Sequence, residues 1–446
     1  MHKYEKMADQ LRQLIESGQL PAGAKLPSIR DLSKQFTTSK STVLAALGKL
    51  EDKHLIYAIP KSGYYVVHHP KPVSSSPTDV IDFAGSSPVW HDFPYSDFMH
   101  CIMKSIDTYQ EDLFRYGTLS GLPSLIQEAK KLLQTYQVFA HERNLFITPG
   151  VQQALSILSI MPFPNHRSTL LVEQPGYHLY MDMIHTYPLH AVGIRRSVSG
   201  IDLDELEQLF KRENIKFFYT MPRFHNPLGT SYSNHEKKAI LQLAHKYDVY
   251  IVEDDYLADF ESDRKQDPLF ALDTEERVIY LKSFSKIMFP GLRIGIAVLP
   301  SSLCKTYQSF TLATHIDSSM ISQAALELYL KSGMFERYRT QVSQAYKNRA
   351  VCLQQALDTY LPQYDKPSEL SMNSHVVLPR EINTRSLIED LRQQQVLLEP
   401  IDPHYLNGFY RERLLKLHVS NVDPLQIEAG IEKIAQALTR SKNLFT

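Results

Sequence analysis

The stretch SFSKIMFPGLRIG, Ser283–Gly295, sets one lysine, Lys286, just behind two serines, with an arginine, Arg293, seven residues further on. Its surroundings decide the fold. The runs RVIYLKSFS and RIGIAVLP on either side are rich in β-branched and aromatic residues and read as strands. Earlier in the chain, STLLVEQPGY, IKFFYTMP and YDVYIVEDDY read the same way. Between several of these runs lie segments such as IDLDELEQLFKREN and SNHEKKAILQLAHKY, whose apolar residues recur at helical spacing. Strands alternating with helices predict an α/β domain on a large, mostly parallel sheet. Ligands of such sheets collect beyond the carboxyl ends of the strands. Asn226, Asp254, Tyr256 and Lys286 each follow a strand-like run and fall there.

A cofactor with an aldehyde, a phosphate and a pyridine ring needs an amine to form an imine. It also needs a carboxylate to keep the ring nitrogen protonated and an aromatic face to cover the ring. Arginine, hydroxyls and backbone N–H groups at a helix start suit its phosphate. The chain offers Lys286, Asp254 and Tyr177 in EQPGY, then Arg293, Ser283 and the TPGVQQA turn with Gly150, Val151 and Gln152. Singly, each has an ordinary reading: a solvated lysine, a loop carboxylate, an Asn-Pro turn, a packed tyrosine. Their joint order resembles that of the fold-type I aminotransferases, which use pyridoxal phosphate (PLP), over roughly residues 80 to 440. The resemblance implies that Lys286 is the catalytic residue and carries the internal aldimine, that Asp254 pairs with the pyridine nitrogen, and that Asn226 and Tyr256 bond the ring hydroxyl. It implies Tyr177 stacked on the ring and a phosphate site of Gly150, Val151, Gln152, Ser283 and Arg293. In that family sites are built across a dimer interface, so Tyr116 in FRYGTLSGLPSL would reach the phosphate of a neighbouring subunit.

The first sixty-seven residues read differently. Tyr4, Met7, Leu11, Leu14 and Ile15 recur at helical spacing until SGQLPAG breaks the run. A second helix opens at Ser28, a plausible N-cap, with Ile29, Leu32 and Phe36 on its apolar face. A third has Val43, Leu47 and Leu50 inward and Lys40, Ser41 and Thr42 outward near its start, and LIYAIPKSGYYVV follows as two short β runs around a turn. Three helices and a hairpin predict a winged helix-turn-helix. Arg30, Lys40 and Lys61 would then supply phosphate or base contacts, with Ser28, Ser39, Ser41 and Thr42 as short donors. The same pattern suits a small helical domain that binds protein. Residues 4 to 67, with SGQLPAGAKLPSIRDLSKQF, SKSTV and KSGYYV, resemble the DNA-binding domain of the GntR superfamily; Lys40 stands where arginine is usual.

Composition is that of a globular chain, with 43% hydrophobic and 22% charged residues, which argues against disorder. At 446 residues two or more domains are expected. Met1–Val67 holds ten Lys+Arg against six Asp+Glu, leaving 38 against 43 for the rest, so a basic module is joined to a mildly acidic body. HHPKPVSSSPTD, residues 68–79, concentrates Pro and Ser and reads as a linker between domains 1–67 and 80–446. Cys101, Cys304 and Cys352 lack ligand-like spacing, so no metal site is expected and a reducing compartment fits. With neither a signal peptide nor an apolar run of about 18 residues, the expectation is a cytoplasmic protein without membrane contact.

A GntR-like reader fused to an aminotransferase-like body resembles the MocR regulators. That resemblance implies a transcriptional regulator that binds operator DNA as a homodimer and senses PLP, or an amine or amino acid, through an aldimine, with weak transamination as a possible remnant. The alternative is a PLP-dependent aminotransferase with a secondary DNA-binding domain. Where the family's LRLGF run places an arginine for the substrate carboxylate, this chain has LLKLHVSNV, which puts Lys416 at the effector position, with Arg411 and Arg413 as nearby candidates. A lysine keeps the charge but loses the planar two-point grip. PGYHLY sets Leu179 on the turn that carries Tyr177.

Overall fold

The computed structural model describes the chain except residues 1–2, 22, 54, 60–62, 67–79, 90–91, 115–117, 262–265, 315–317 and 444–446. Lys61, Tyr116 and the expected linker 68–79 lie outside the described residues. The chain divides into two compact units, Met1–Ser76 with Pro94–Thr108, and Pro77–Phe93 with Tyr109–Thr446.

In the first unit, helices α1 (Lys3–Glu16), α2 (Ile29–Gln35) and α3 (Lys40–Asp52) precede an antiparallel hairpin of β1 (Ile56–Ile59) and β2 (Gly63–Val66), paired from Ile56↔Val66 to Ile59↔Gly63. Met7, Leu11, Leu32, Val43, Leu47, Leu50, Ile56 and Val66 are buried as one core, with Tyr4, Leu14, Ile15, Ile29 and Phe36 packed half-buried against it. The expected helices and hairpin are therefore present. Helix starts are fixed locally. The Ser28 hydroxyl accepts from the Asp31 N–H and Ser39 accepts from the Thr42 N–H, each satisfying a donor that the helix leaves unpaired.

The second unit is built on an eight-stranded sheet. Its strands are β4 (Leu145–Thr148), β5 (Thr169–Gln174), β6 (Ala191–Ser197), β7 (Gly200–Ile201), β8 (Ile215–Thr220), β9 (Tyr250–Asp254), β10 (Val278–Ser283) and β11 (Gly295–Val298); β3 (Ile81–Asp82) lies outside it. The order is β4-β11-β10-β9-β8-β5-β6-β7, parallel from β10 through β6, with β11 and β7 reversed. Strands β5, β8, β9 and β10 are buried along their whole length, which is why they appear in the sequence as continuous apolar runs rather than alternating ones. A smaller layer near the C-terminus pairs β12 (Asn373–Val377) with β14 (Leu414–His418) antiparallel, and β13 (Val396–Leu397) with β3 parallel.

Register explains why distant residues meet. Ser283 pairs with Gly295, and Gly295 with Thr148, so the ends of β10 and β4 and the start of β11 form one row. A Cβ on Gly295 would lie 2.9 Å from the Val151 nitrogen and 3.0 Å from the Thr148 hydroxyl, so only glycine lets the turn after β4 close over the row.

The interior of this sheet is tied together by Glu173, near the end of β5, which is 1% exposed. Its carboxylate accepts from the Arg196 guanidinium at 3.0 Å, the Thr220 hydroxyl at 2.9 Å, the Met221 N–H at 2.9 Å and the Tyr232 hydroxyl. Arg196 is wholly buried and lies 3.5 Å over the Tyr232 ring. Burial alone raises the Glu173 pKa, but His225, Arg196 and the donated hydrogen bonds overcome it and bring it down to about 2. Glu173→Gln keeps the shape and removes the counter-charge of a buried arginine. The variant is expected to lose about 3–5 kcal/mol, read as a lower urea midpoint at pH 7. Because the folded pKa lies below the unfolded value of 4.5, this contribution is fully present above about pH 4.5. It disappears as the pH falls through about 2, so the gap between the two proteins is expected to close over that window.

Candidate functional site

Lys286 lies just beyond the carboxyl end of β10. Its ammonium donates to the Ser86 carbonyl at 2.6 Å and the Ser86 hydroxyl at 2.8 Å. Burial, together with the charge of Lys416, lowers its pKa to about 8. An amine of pKa about 8 is neutral in roughly one molecule in ten at pH 7, against about one in several thousand for an ordinary lysine. Lys286 is thus poised as a nucleophile.

Asp254 closes β9 and is 4% exposed. One carboxylate oxygen accepts from the Tyr219 hydroxyl at 2.8 Å, while Oδ1 is buried with no partner. Burial raises its pKa to about 7, against which the Tyr219 bond works. An orphaned buried oxygen is the kind of group that a ligand N–H satisfies. Tyr177 lies near it: burial first, then the charge of Asp254, pushes the phenol up to about 12, and Arg293 acts in the opposite direction.

The turn after β4 leads into the helix Val151–Ile160 and presents that helix's first N–H groups with no side-chain cap. Gly150 holds φ 92° there, and a Cβ on it would lie 3.1 Å from the Arg293 guanidinium, which donates to the Pro149 carbonyl at 2.8 Å. Ser283 accepts from the Ser285 N–H at 3.1 Å, leaving its own O–H to donate. An uncapped helix start, a guanidinium and a hydroxyl are together a cradle for an anion such as phosphate. Gly150, Val151, Gln152, Ser283, Arg293, Tyr177, Asp254 and Lys286 are therefore brought to one edge of the sheet.

Two further expected residues follow β8 and β9. The Tyr256 hydroxyl is spent, donating to the Phe224 carbonyl at 2.7 Å and accepting from the Asn373 amide at 2.5 Å. Asn226 is half-buried on the loop after β8. Leu179 is 37% exposed on helix His178–Thr186, and its neighbour His178 feels the charges of Lys416 and Lys286. Arg411 pairs with Asp402, and Arg413 donates to the Arg380 and Ile382 carbonyls. Lys416, 7% exposed on β14, bonds Glu399 at 2.9 Å and has His404 Nε2 at 3.4 Å.

The sequence reading missed His178, His404, His418, Glu399, Tyr219 and Ser86. Burial lowers the pKa of all three histidines, with Lys416 adding to it, so they are neutral at pH 7. The one available signal was alternation on a strand, which puts His418 on the face of Lys416. In the N-terminal unit Arg30, Lys40 and Ser41 are exposed and Thr42 is half-buried, while the Ser28 and Ser39 oxygens act as helix caps. Leu44, 47% exposed on α3, was also missed. Among the described residues, no helix is long and apolar enough to cross a membrane and no group of acidic, His or Cys side chains is placed to hold a metal.

Residues 92–434 match the family described as aminotransferase class I and II, and residues 3–66 match bacterial regulatory proteins, gntR family. The uncharacterized HTH-type transcriptional regulator YcxD of Bacillus subtilis (strain 168) is 50% identical over 98% of this chain and all of its own length. Aromatic-amino-acid aminotransferase 1 of Thermococcus litoralis is 28% identical over 81% of this chain and 88% of its own. Among solved structures, kynurenine aminotransferase of Pyrococcus horikoshii, in complex with PMP, superposes with a TM-score of 0.74 at 27% identity, over 82% of this chain and 92% of that one.

A buried carboxylate whose pKa rises from 3.8 to about 7 costs the folded, ligand-free chain stability once it ionises. The sign is that of a raised acid: stability is greatest below about pH 4 and declines as the pH rises through 7. Asp254→Asn removes the titration. It is expected to stabilise the ligand-free protein by about 1–3 kcal/mol at pH 8. The gain should vanish near pH 4, with thermal melts at both pH values as the check. Equal melting differences at the two pH values would contradict the assignment.

Proposed function

Since the chain belongs to the class I and II aminotransferase family, a PLP-dependent fold family, and carries a gntR-type domain ahead of it, we propose that it is a MocR-type transcriptional regulator. In this reading residues 3–66 bind operator DNA as part of a homodimer, and the body reads PLP or an amine bound with it. Extent of match carries the reading. YcxD matches 98% of the chain, whereas the aminotransferase from Thermococcus matches 81% of it. A chain selected only for transamination has no use for a DNA-binding module.

The site suits PLP on its own geometry, because the orphaned Asp254 oxygen, the uncapped start of the Val151–Ile160 helix beside Arg293 and the partly neutral Lys286 are the partners such a molecule needs. PLP, when bound, supplies an electrophilic carbon to which an amine can be joined. Lys286 is the amine that holds it in place, its ammonium turning from Ser86. Asp254 accepts the ring N–H, and its pKa then falls as it gains a cationic partner. Tyr177 covers a ring face and keeps water off, and Gly150, Val151, Gln152, Ser283 and Arg293 hold the phosphate. Asn226, on the loop after β8, would hold the ring hydroxyl, together with Tyr256 once its hydroxyl leaves the Phe224 carbonyl. Lys416 holds an effector carboxylate at one point rather than two, which orients it loosely. Loose orientation suits a sensor, since turnover needs the bond to be broken held in line, whereas a population shift needs only differential binding.

Lys286→Ala is expected to abolish PLP fixed to the protein by borohydride, read by mass spectrometry of the peptide that contains residue 286. A fixed adduct on another lysine would refute the assignment. For DNA, Lys40→Ala is expected to weaken binding to every duplex and to flatten the dependence of log K on log salt. Each lost phosphate contact removes about 0.9 from the slope, so a dimer loses roughly twice that. A change of about one unit marks a monomer on DNA, and no change removes Lys40 from the interface.

A further inference from the structure

The partners of Lys416 are unequal. Its side chain is 8% exposed, while that of Glu399, 2.9 Å away, is 55% exposed. Glu399 can swing into water and be solvated at little cost, whereas Lys416 cannot follow it. Behind the ammonium stands His404. The His404 Nδ1 faces the Gly176 carbonyl at 2.7 Å, an acceptor, so the ring proton sits on Nδ1 and Nε2 offers its lone pair to Lys416 at 3.4 Å. The imidazole is neutral and stays bound to the turn before Tyr177, so Lys416 keeps its aim when Glu399 leaves.

Two further histidines stand near Lys416. His178 packs against His404 with ring centroids 5.1 Å apart, and His418 accepts from the Ser420 N–H at 3.2 Å, which marks it too as a neutral ring. His404 ties Lys416 to the turn before Tyr177, and Lys286 feels the Lys416 charge; a small molecule bearing an amine and a carboxylate is the ligand class that suits two lysines of one site. Such a molecule meets an ammonium already holding a carboxylate.

We propose that Glu399 is a built-in competitor for the effector carboxylate: it occupies Lys416 until a carboxylate-bearing ligand displaces it, and the ion pair thereby sets how far the site prefers amino acids over plain amines. The inference rests on Lys286 and Lys416 forming the effector site. A ligand that must first displace Glu399 binds with its intrinsic affinity reduced by the fraction of molecules in which Lys416 is open. A plain amine leaves the pair intact and is not so reduced. The device holds amino acids at weak affinity, so that occupancy follows their concentration over a high range.

L-Alanine and ethylamine differ by one carboxylate and serve as probes. Both are titrated into the PLP-loaded protein and its Glu399→Gln variant, following the absorbance of the bound cofactor. Alanine is expected to bind the variant roughly three- to tenfold more tightly, with ethylamine unchanged within about twofold. No change for alanine, or equal tightening of both, overturns the proposal. Loading is read from the spectrum before either probe is added, so failure to bind PLP is seen separately. Calorimetric titration of propionate into the unloaded protein carries the test without the cofactor: tighter binding to Glu399→Gln supports the competitor role, and equal binding overturns it.

Discussion

The carboxylate of Glu173 gathers in one place the Arg196 charge from β6, the Thr220 hydroxyl from β8, the Met221 N–H and the Tyr232 hydroxyl. A buried arginine is tolerable only if its counter-charge and hydrogen bonds are fixed, so this cluster has little freedom to rearrange. Its rigidity fixes the position of its neighbours. Residue 174 continues the anchored strand: the Gln174 amide oxygen accepts from the Leu406 N–H at 2.6 Å, and the Gly176 N–H donates to the His404 carbonyl at 2.8 Å. The turn that delivers Tyr177 is thereby clamped between the sheet and the segment that supports Lys416. Arg196 also reaches Thr230, across the loop that carries Asn226. A structural ion pair with no contact to any ligand so holds two arms of the site in register.

The site itself is a set of charges left incomplete. Asp254 keeps one buried oxygen without a partner, Lys286 is held below its ordinary pKa, and the start of the Val151–Ile160 helix faces Arg293 without a cap. Each costs the ligand-free chain stability, and under the proposed function each would be relieved by a different part of one molecule: a ring nitrogen, an electrophilic carbon, a phosphate. Unmet groups of this kind are where binding energy is found. Lys416 is the exception, because its charge is already met from within the chain by Glu399. The groups around Asp254 and Lys286 are unmatched within the chain, whereas Lys416 is paired.

Much of this was legible in the sequence. The continuous apolar runs at β5, β8, β9 and β10 marked buried parallel strands, and the order of Tyr177, Asn226, Asp254, Lys286 and Arg293 marked what lies at their ends. Both signals are local or nearly so: burial on two faces writes itself as an apolar run, and a loop after a strand has few places to go. The helix cap Ser28 was legible for the same reason, as its hydroxyl bonds a backbone N–H three residues on, whereas Ser39, read as a DNA donor, caps its helix in the same way.

What the sequence alone determined, then, is the N-terminal helices and hairpin, five strands of the large sheet (β5, β8, β9, β10 and β11), their alternation with helices and the chemical kinds present at the strand ends. The tertiary structure decided who meets whom. Nothing in the chain pairs Lys416 with Glu399 seventeen residues earlier, sets His404 behind it through the Gly176 carbonyl, or commits the Tyr256 hydroxyl to Phe224 and Asn373. Those contacts depend on how loops cross between the sheet and the smaller C-terminal layer. The reason is range. Hydrophobic periodicity records burial, which every residue feels individually, while an ion pair or a hydrogen bond requires two groups within about 3 Å, and sequence spacing fixes that distance only inside a helix, a cap or a tight turn.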